Sequence, residues 1–525
     1  MTVFITPAGR IPRNADEPSR KGQDFTMAAP LLIRISPADN AAVAPAFIPS
    51  GTVCSLDGEE ITVRSDIPFG HKVAITDIAE GQNVIKYGYP IGHASVPVSK
   101  GSHIHSHNLK TNLKGILGYD YHPDENALRS FECSREAVFE GYVRSDGSVG
   151  IRNEIWIIPT VGCIAKTAGI LAEQANKAFG GMTDGVYAYS HPMGCSQLAE
   201  DQDRTMRLLA GLIRNPNAGG VLVLSLGCEN NNLEVFRPYL GDYDPERVRF
   251  LVTQDADDEY EAGMALLKEL SEYAAAQERQ TVSASRLKIG LKCGASDAFS
   301  GITANPLVGR VSDLVVRCSG STVLTEVPEM FGAEQILMDR AVSEEIFGDV
   351  VRLINDFKAY YIRYGQEIYE NPSPGNKKGG ITTLEEKSLG CTQKGGTAPV
   401  VGVLDYGEPL TKNGLNLLIG PGNDEISSTS LAASGVQMIL FTTGRGNPFG
   451  SVVPTVKISS NSGLASRKPH WIDYDAGRML ENGSLEEMGE DFFAYLLGVA
   501  SGKIRTNNEI WGYREISLFR DGVVL

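Results

Sequence analysis

Short apolar runs alternate with Gly-bearing polar breaks along most of the chain, and longer amphipathic stretches often follow the breaks. Four runs, Glu154–Pro159, Gly185–Tyr189, Gly220–Ser225 and Arg249–Thr253, read as strands. The first three run into Thr160-Val-Gly-Cys163, Ser190-His-Pro-Met-Gly-Cys195 and Leu226-Gly-Cys-Glu-Asn230. Helices are expected from Ile164 to Ala178, through about Leu212, and from Glu259 to Ala276. Strand, Gly-containing loop, helix, repeated, predicts a parallel sheet whose ligands gather at the C-terminal strand ends. His191, Cys195, Cys228 and Glu229 all fall at such ends. A second set of runs, Leu287–Lys292, Val400–Leu404, Leu415–Ile419 and Met438–Phe441, predicts a second α/β unit with a helix over Ser343–Tyr364.

The first part of the chain reads differently. Leu31–Ile35, Ile61–Arg64, His71–Ile75 and Val84–Tyr87 are short strand-like runs, and Asp57-Gly58 is a turn signal. They predict a small β unit ending in Gly101-Ser-His-Ile-His-Ser-His-Asn108. The boundaries expected are 1–30 for an extension read as a disordered tail, 31–110 for the β unit and 111–137 for a linker. A parallel-sheet unit over 138–285 and a catalytic α/β unit over 286–525 follow. Met27 is an alternative start. The stretch Asn371-Pro-Ser-Pro-Gly-Asn-Lys-Lys-Gly-Gly380 carries two Pro and three Gly and predicts an ordered loop with no helix through it. Its amides and ammonium groups suit an anionic, oxygen-rich ligand; a solvated surface turn is the plainer reading.

Composition narrows the function. The net charge of −16 argues against nucleic acid and anionic membrane surfaces as partners. No apolar run reaches the length of a membrane span, and the N-terminal stretch lacks the apolar segment of an export signal. Eight cysteines without a disulfide-like pattern fit a reduced, cytoplasmic chain. Without G-x-x-x-x-G-K-[ST] or a strand-linked G-x-G-x-x-G, ATP and NAD are disfavoured.

Candidate chemistry lies in four places. On a strand, His103, His105 and His107 would share one face and offer three imidazoles to a metal or a proton; a solvated strand edge is the plainer reading. Cys195, Cys228 and Cys293 sit at predicted strand ends among polar neighbours. Without a Cys-x-x-Cys pair a zinc ribbon or ferredoxin-type cluster is disfavoured, yet three distant thiolates can still hold an iron or an iron–sulfur cluster. Glu229 and Asp297 are candidate ligands or bases beside these cysteines, with a solvated carboxylate the default for each. Arg445, between Gly444 and Gly446, can clamp a carboxylate.

Several long strings carry a family resemblance: Gly70-His-Lys-Val-Ala74, His103-Ile-His-Ser-His-Asn108, Leu226-Gly-Cys-Glu-Asn230, Ser300-Gly-Ile-Thr-Ala-Asn-Pro306, Thr325-Glu-Val-Pro-Glu-Met-Phe-Gly-Ala-Glu334, the 371–380 stretch and Phe441-Thr-Thr-Gly-Arg-Gly446. By these the chain, from about Ile33 to Leu525, resembles the altronate dehydratase family of the galactarate/altronate dehydratase group. The triple-His string and Glu326-Val-Pro-Glu-Met-Phe resemble the altronate branch. The resemblance implies an N-terminal SAF-type β domain, a Rossmann-like domain and a further α/β domain. It implies dehydration of D-altronate to 2-dehydro-3-deoxy-D-gluconate by β-elimination, with Fe2+ as metal and Mn2+ as substitute. The expected metal ligands are His103, Cys195, Cys228, Glu229 and Cys293. The expected catalytic groups are His105, His107, His191 and Lys378, and Ser296, Asp297, Asn305, Asn376, Lys377 and Arg445 are expected to bind substrate. The partner expected is a small aldonate, and a homo-oligomer is compatible with the reading. Galactarate dehydration, sulfolactate sulfo-lysis and a non-catalytic sugar-acid sensor are the alternatives.

Overall fold

The computed structural model describes residues 32–125, 128, 131–481 and 484–524. Its first β unit is built from very short strands. Ala41–Val43, Lys72–Ala74 and His103–Ile104 form one antiparallel sheet; Asn83–Lys86, Tyr89–Ala94 and Leu109–Lys110 form another. Val53–Leu56 and Glu59–Thr62 pair as a hairpin whose turn residues Asp57 and Gly58 have φ of 52° and 84°. Two positive φ values are what a tight two-residue hairpin turn requires. The strand expected over Leu31–Ile35 reduces to a single bridge between Ile33 and Val43, and Leu31 lies outside the described residues.

The unit is pinned to the rest of the chain by buried charge. Lys72 Nζ donates at 2.8 Å to Gly380 O, Thr382 Oγ1 and Glu386 Oε2, and Lys86 Nζ donates at 2.8 Å to Glu386 Oε1. Burial opposes charge on Glu386, but the two ammonium groups outweigh it and bring its pKa down to about 2. At Lys72 burial wins, and its pKa falls to about 8.

Next come β1 (Glu154–Pro159), β2 (Val186–Ala188), β3 (Ala218–Ser225) and β4 (Val248–Val252), parallel in the order β2-β1-β3-β4. Alternation along β1 divides the core. Ile155 and Ile157 pack with Leu171 of helix α1 (Ala165–Phe179) and Leu267 of α3 (Glu259–Ala275). Trp156 and Ile158 pack with Leu208 and Leu212 of α2 (Ala199–Arg214) on the other face. Helices on both faces explain why β3 is apolar and buried throughout. Asp258 caps α3 by accepting from the Tyr260 and Glu261 N–H groups.

The last unit holds a seven-stranded parallel sheet. Its strands are β5 (Lys288–Cys293), β6 (Ser321–Leu324), β7 (Val400–Leu404), β8 (Gly414–Leu418), β9 (Met438–Thr443), β10 (Thr455–Ser459) and β11 (Tyr474–Asp475). Their order is β7-β8-β6-β5-β9-β10-β11. Helices α4 (Ala304–Arg317), α5 (Glu344–Arg363) and α9 (Leu485–Ala500) contribute to one core with this sheet. Helix α8 (Asp424–Ala433) packs on α2, so the two sheets share a continuous apolar cluster.

One expectation is corrected here. A helix, α6 (Pro374–Lys378), does run through the 371–380 stretch. Pro374 stands in its first turn, where a missing N–H costs nothing, and Ser373 and Asn376 form a reciprocal capping box. The polar, non-periodic stretch beyond it forms α7 (Leu384–Cys391), in which every residue is buried. A helix enclosed on all sides has no apolar stripe to reveal it. Among the described residues no helix is long and apolar enough to cross a membrane.

Candidate active site

The C-terminal ends of β8, β6 and β5, three neighbouring strands, open into a cavity of about 390 Å3. Cys293 and Gly294 come from the end of β5, Glu329 from the turn after β6, and Gly422 and Asp424 from the loop after β8. Asn371, Ser373, Asn376 and Lys387 close it from the 371–380 stretch and α7. The volume suits a small-molecule site, and the strand-end position is where parallel sheets bind ligands. A groove of about 590 Å3 beside Arg214, Arg286 and Lys288 lies at the opposite end of β5 and has no Cys or His in its lining.

Buried ionisable groups crowd the cavity wall. Glu329 Oε2 accepts from Cys293 Sγ at 3.0 Å and from Cys391 Sγ at 3.1 Å, and the two sulfurs are 3.5 Å apart. Lys387 Nζ donates to Glu329 Oε1 at 2.6 Å and to Asn371 Oδ1 at 3.1 Å. Lys292 Nζ reaches Asp424 Oδ1 at 2.7 Å and Glu326 Oε1 at 3.2 Å, while Lys394 Nζ lies 3.9 Å from Glu326 Oε2. The Cys293 N–H donates to Glu326 Oε2 at 2.8 Å. Glu326 adopts φ 70° and Ala295 φ 54°, left-handed conformations that a side chain disfavours and that cluster at functional sites.

The electrostatics separate these groups. Burial opposes charge on Glu329, but Lys387 and Lys394 overcome it and set its pKa at about 2. Burial dominates at Glu326 and raises it well above the carboxylate range. The hydrogen bond with Cys391, aided by Lys394 and Lys387 against burial, lowers Cys293 to about 6, while the same bond and burial raise Cys391. Lys387 is held charged despite burial, chiefly by Glu329.

Cys293, Glu329 and Cys391 fit a metal ion. Among the described residues they are the group of three His, Cys, Asp or Glu donors whose ligand atoms lie within 4.8 Å of one another. Donors to one tetrahedral ion with bonds of about 2.3 Å to sulfur sit about 3.8 Å apart, close to what these sulfurs already show. Two thiols and a carboxylate are a borderline-soft donor set that suits a transition metal better than calcium or magnesium.

The other residues singled out from sequence are dispersed. Only His103 of the triple-His string lies in a strand; His105 N–H turns back to Asn108 Oδ1, and Asn108 N–H to His105 O. The rings of His103 and His105 nevertheless gather against His71 and each other, and His107 against His103, at centroid distances of 4.8 to 5.6 Å. His71 Nδ1 is 3.0 Å from His103 Nε2. His105 Nε2 lies 3.0 Å from Lys377 O and His71 Nε2 3.3 Å from Lys378 O, so the stack abuts the backbone of α6. Burial lowers His71 and His105, and burial with the neighbouring rings takes His103 to about 3.

Several polar candidates are occupied in holding loops. Asp297, raised by burial, accepts from Ser300 N–H, Ser460 Oγ and Asn461 Nδ2. Asn305 joins Thr442 Oγ1 to Gly390 O, and Asn376 donates to Ser296 O. Ser296 Oγ is buried and finds no hydrogen-bond partner among the described residues. Arg445 donates to Gly375 O at 2.9 Å. His191 Nε2 lies 2.7 Å from Pro159 O, and burial lowers its pKa to about 4. Glu229 accepts from Thr160 Oγ1, Ser225 Oγ and the Leu226 and Gly227 N–H groups, and these bonds lower it against burial. Cys195 and Cys228 lie in the loops after β2 and β3 of the four-stranded sheet, whereas Cys293 ends β5 of the seven-stranded one. Glu326, Glu329, Lys387, Cys391, Lys394 and Asp424 were not singled out. The traces they left were the Glu326–Phe331 string and a Cys391 that follows glycine.

Three family models match the chain in succession. They are an altronate/galactarate dehydratase SAF domain over residues 30–112, a D-galactarate dehydratase/altronate hydrolase second domain over 141–275 and a D-galactarate/altronate dehydratase C-terminal region over 284–524. An altronate dehydratase of Escherichia coli (strain K12) is 51% identical over 497 residues, covering 94% of this chain and 99% of the relative. An altronate dehydratase of Bacillus subtilis (strain 168) is 51% identical over 499 residues, again 94% and 99%. A galactarate dehydratase (L-threo-forming) of Escherichia coli (strain K12) is 33% identical over 504 residues, 89% of this chain and 92% of the relative.

Proposed function

The chain belongs to the D-galactarate/altronate dehydratase family, and from that premise we propose that the cavity at the ends of β5, β6 and β8 dehydrates D-altronate to 2-dehydro-3-deoxy-D-gluconate. The enzyme is a hydro-lyase, and it works in the cytoplasm on a free aldonate. The observation that carries the site is the buried Cys293–Glu329–Cys391 group with Lys387 beside it at the cavity wall.

The reaction removes the proton at C2 and the hydroxyl at C3, which takes a proton from solvent and leaves as water, and the resulting 2-enol gains a proton at C3 to become the 2-keto acid. A proton next to a carboxylate is weakly acidic, so the developing aci-carboxylate needs fixed positive charge. The Lys387 ammonium, oriented by Glu329 and Asn371, receives the substrate carboxylate and stabilises that charge. Asp424 lines the cavity, steadied by Lys292 at 2.7 Å and by Asn447 Nδ2 at 2.6 Å, and takes the C2 proton. Proton transfer to a positioned carboxylate contributes about 10²–10⁴-fold to such a step. Cys293, Glu329 and Cys391 would hold ferrous iron, with manganese as substitute; when bound, the ion supplies Lewis-acid polarisation of substrate oxygens. The histidine stack acts behind this wall, fixing the backbone of α6 through Lys377 O and Lys378 O and so the position of Asn376.

Anaerobic assay after loading with ferrous iron tests the reading. D-altronate is expected to give a 2-keto acid, with galactarate turned over poorly and sulfolactate releasing no sulfite. Preference for galactarate or sulfolactate would replace altronate as substrate, and binding of altronate without turnover would favour the sensor.

A further inference from the structure

Cys163, Cys195 and Cys228 have no part in the cavity described above. They follow Gly162, Gly194 and Gly227, just past the C-terminal ends of β1, β2 and β3, three strands adjacent in one sheet. All three are exposed, although an unligated cysteine is usually a small buried apolar residue.

The loops that carry them are locked together. Gly162 N–H donates to Met193 O at 2.9 Å, Asn231 N–H to Gly194 O at 3.1 Å and Ser196 N–H to Asn230 Oδ1 at 3.0 Å. Asn231 Nδ2 donates to Thr160 O at 3.1 Å. Glu229 bonds Thr160 of the first loop as well as its own loop. Gly194 has φ 103°, and a Cβ there would meet Thr160 O at 2.0 Å; a Cβ on Gly162 would meet His191 O at 2.9 Å. The glycines thus let three thiol-bearing turns close up. Gln254 Nε2 lies 3.5 Å from Cys228 Sγ and Ser196 Oγ 3.9 Å from Cys195 Sγ, polar hydrogens of the kind that tune ligated sulfur.

Three thiols in turns tied to one another narrow the ligand. The three sulfurs do not all come within 4.8 Å of one another, as the Cys293 group does, so they are set wider than the donors of a single ion. A cluster, whose iron atoms each take one thiolate, spreads its ligands farther apart. We propose that Cys163, Cys195 and Cys228 are the three thiolate ligands of an iron–sulfur cluster at the edge of the four-stranded sheet, with one iron left to an oxygen ligand from solvent. Each thiol gives up its proton to solvent on binding iron, and iron supplied as both ferrous and ferric ions with inorganic sulfide assembles the mixed-valence cluster without a net change of oxidation state.

The full chain is reconstituted anaerobically with ferrous and ferric iron and sodium sulfide, desalted, and analysed for iron, acid-labile sulfide and visible sulfur-to-iron absorption. Wild type and Cys293→Ala are expected to hold several irons with matching sulfide. Cys163→Ala, Cys195→Ala and Cys228→Ala should each lose sulfide and absorption at least tenfold while melting at the wild-type temperature. Serine replacements serve if an alanine variant fails to fold. Wild type without labile sulfide, metal at these thiols without sulfide, or a triple variant as loaded as wild type would each overturn the proposal. None of these readouts depends on altronate turnover, so they stand or fall apart from the assignment of the cavity.

Discussion

Lys387 is the residue on which charge and position converge most plainly: buried, held charged by Glu329, and part of the cavity wall. Lys387→Met is expected to lower kcat/KM for altronate by about 10²-fold or more, the scale of losing one preorganised charge donor, with both kcat and KM affected. Asp424→Asn should lower kcat by about 10²–10⁴-fold and move KM little, because it removes a proton acceptor and leaves the carboxylate clamp. A kcat within a few-fold of wild type in steady-state assay would remove Asp424 as the base. Cys293 was legible from its strand end and its polar neighbours. Lys387 and Cys391 were not, because a fully buried polar helix offers no pattern, and their chemistry exists only through contact with Glu329, 58 residues before Lys387 in the chain.

At the scale of elements, the strands and long helices followed from sequence because parallel sheets covered on both faces leave unbroken apolar runs, as in β1 and β3. The 371–380 stretch was legible as a special segment but not as a helix, since its order comes from Ser373 and Asn376 capping each other. Gly380 tests that stretch. Its φ is 96°, and a Cβ there would meet Gly70 O at 2.3 Å. Gly380→Ala is therefore expected to displace the segment from the β unit and lower both Tm and kcat/KM, as thermal melts and kinetics on one preparation would show. Glu386 ties the same elements. Removing one partner of such a buried pair costs about 3–5 kcal/mol, so Glu386→Gln should melt well below wild type. Its folded pKa, about 2, lies below the ordinary value of 4.5. That contribution is complete above pH 4.5 and is lost as pH falls toward 2, and Glu386→Gln should show a shallower loss of Tm over that window.

At the scale of the whole molecule, a SAF domain docks through Lys72 and Lys86 onto the segment that closes a parallel-sheet cavity, while a second sheet carries its own cysteine-bearing edge. Sequence reading separated these parts but assembled one metal site from His103, Cys195, Cys228, Glu229 and Cys293. The fold divides those residues among three places, because strand-end positions look alike in sequence whichever sheet they belong to. The most direct test compares wild type and Cys391→Ser, both loaded anaerobically with ferrous iron, for bound iron at the cavity site and for 2-keto acid formed from D-altronate. The account predicts rapid turnover by wild type, and a Cys391→Ser protein that melts normally yet loses that iron and at least a hundredfold in turnover, about 2.7 kcal/mol of transition-state stabilisation. A folded Cys391→Ser protein that dehydrates altronate at the wild-type rate would contradict it.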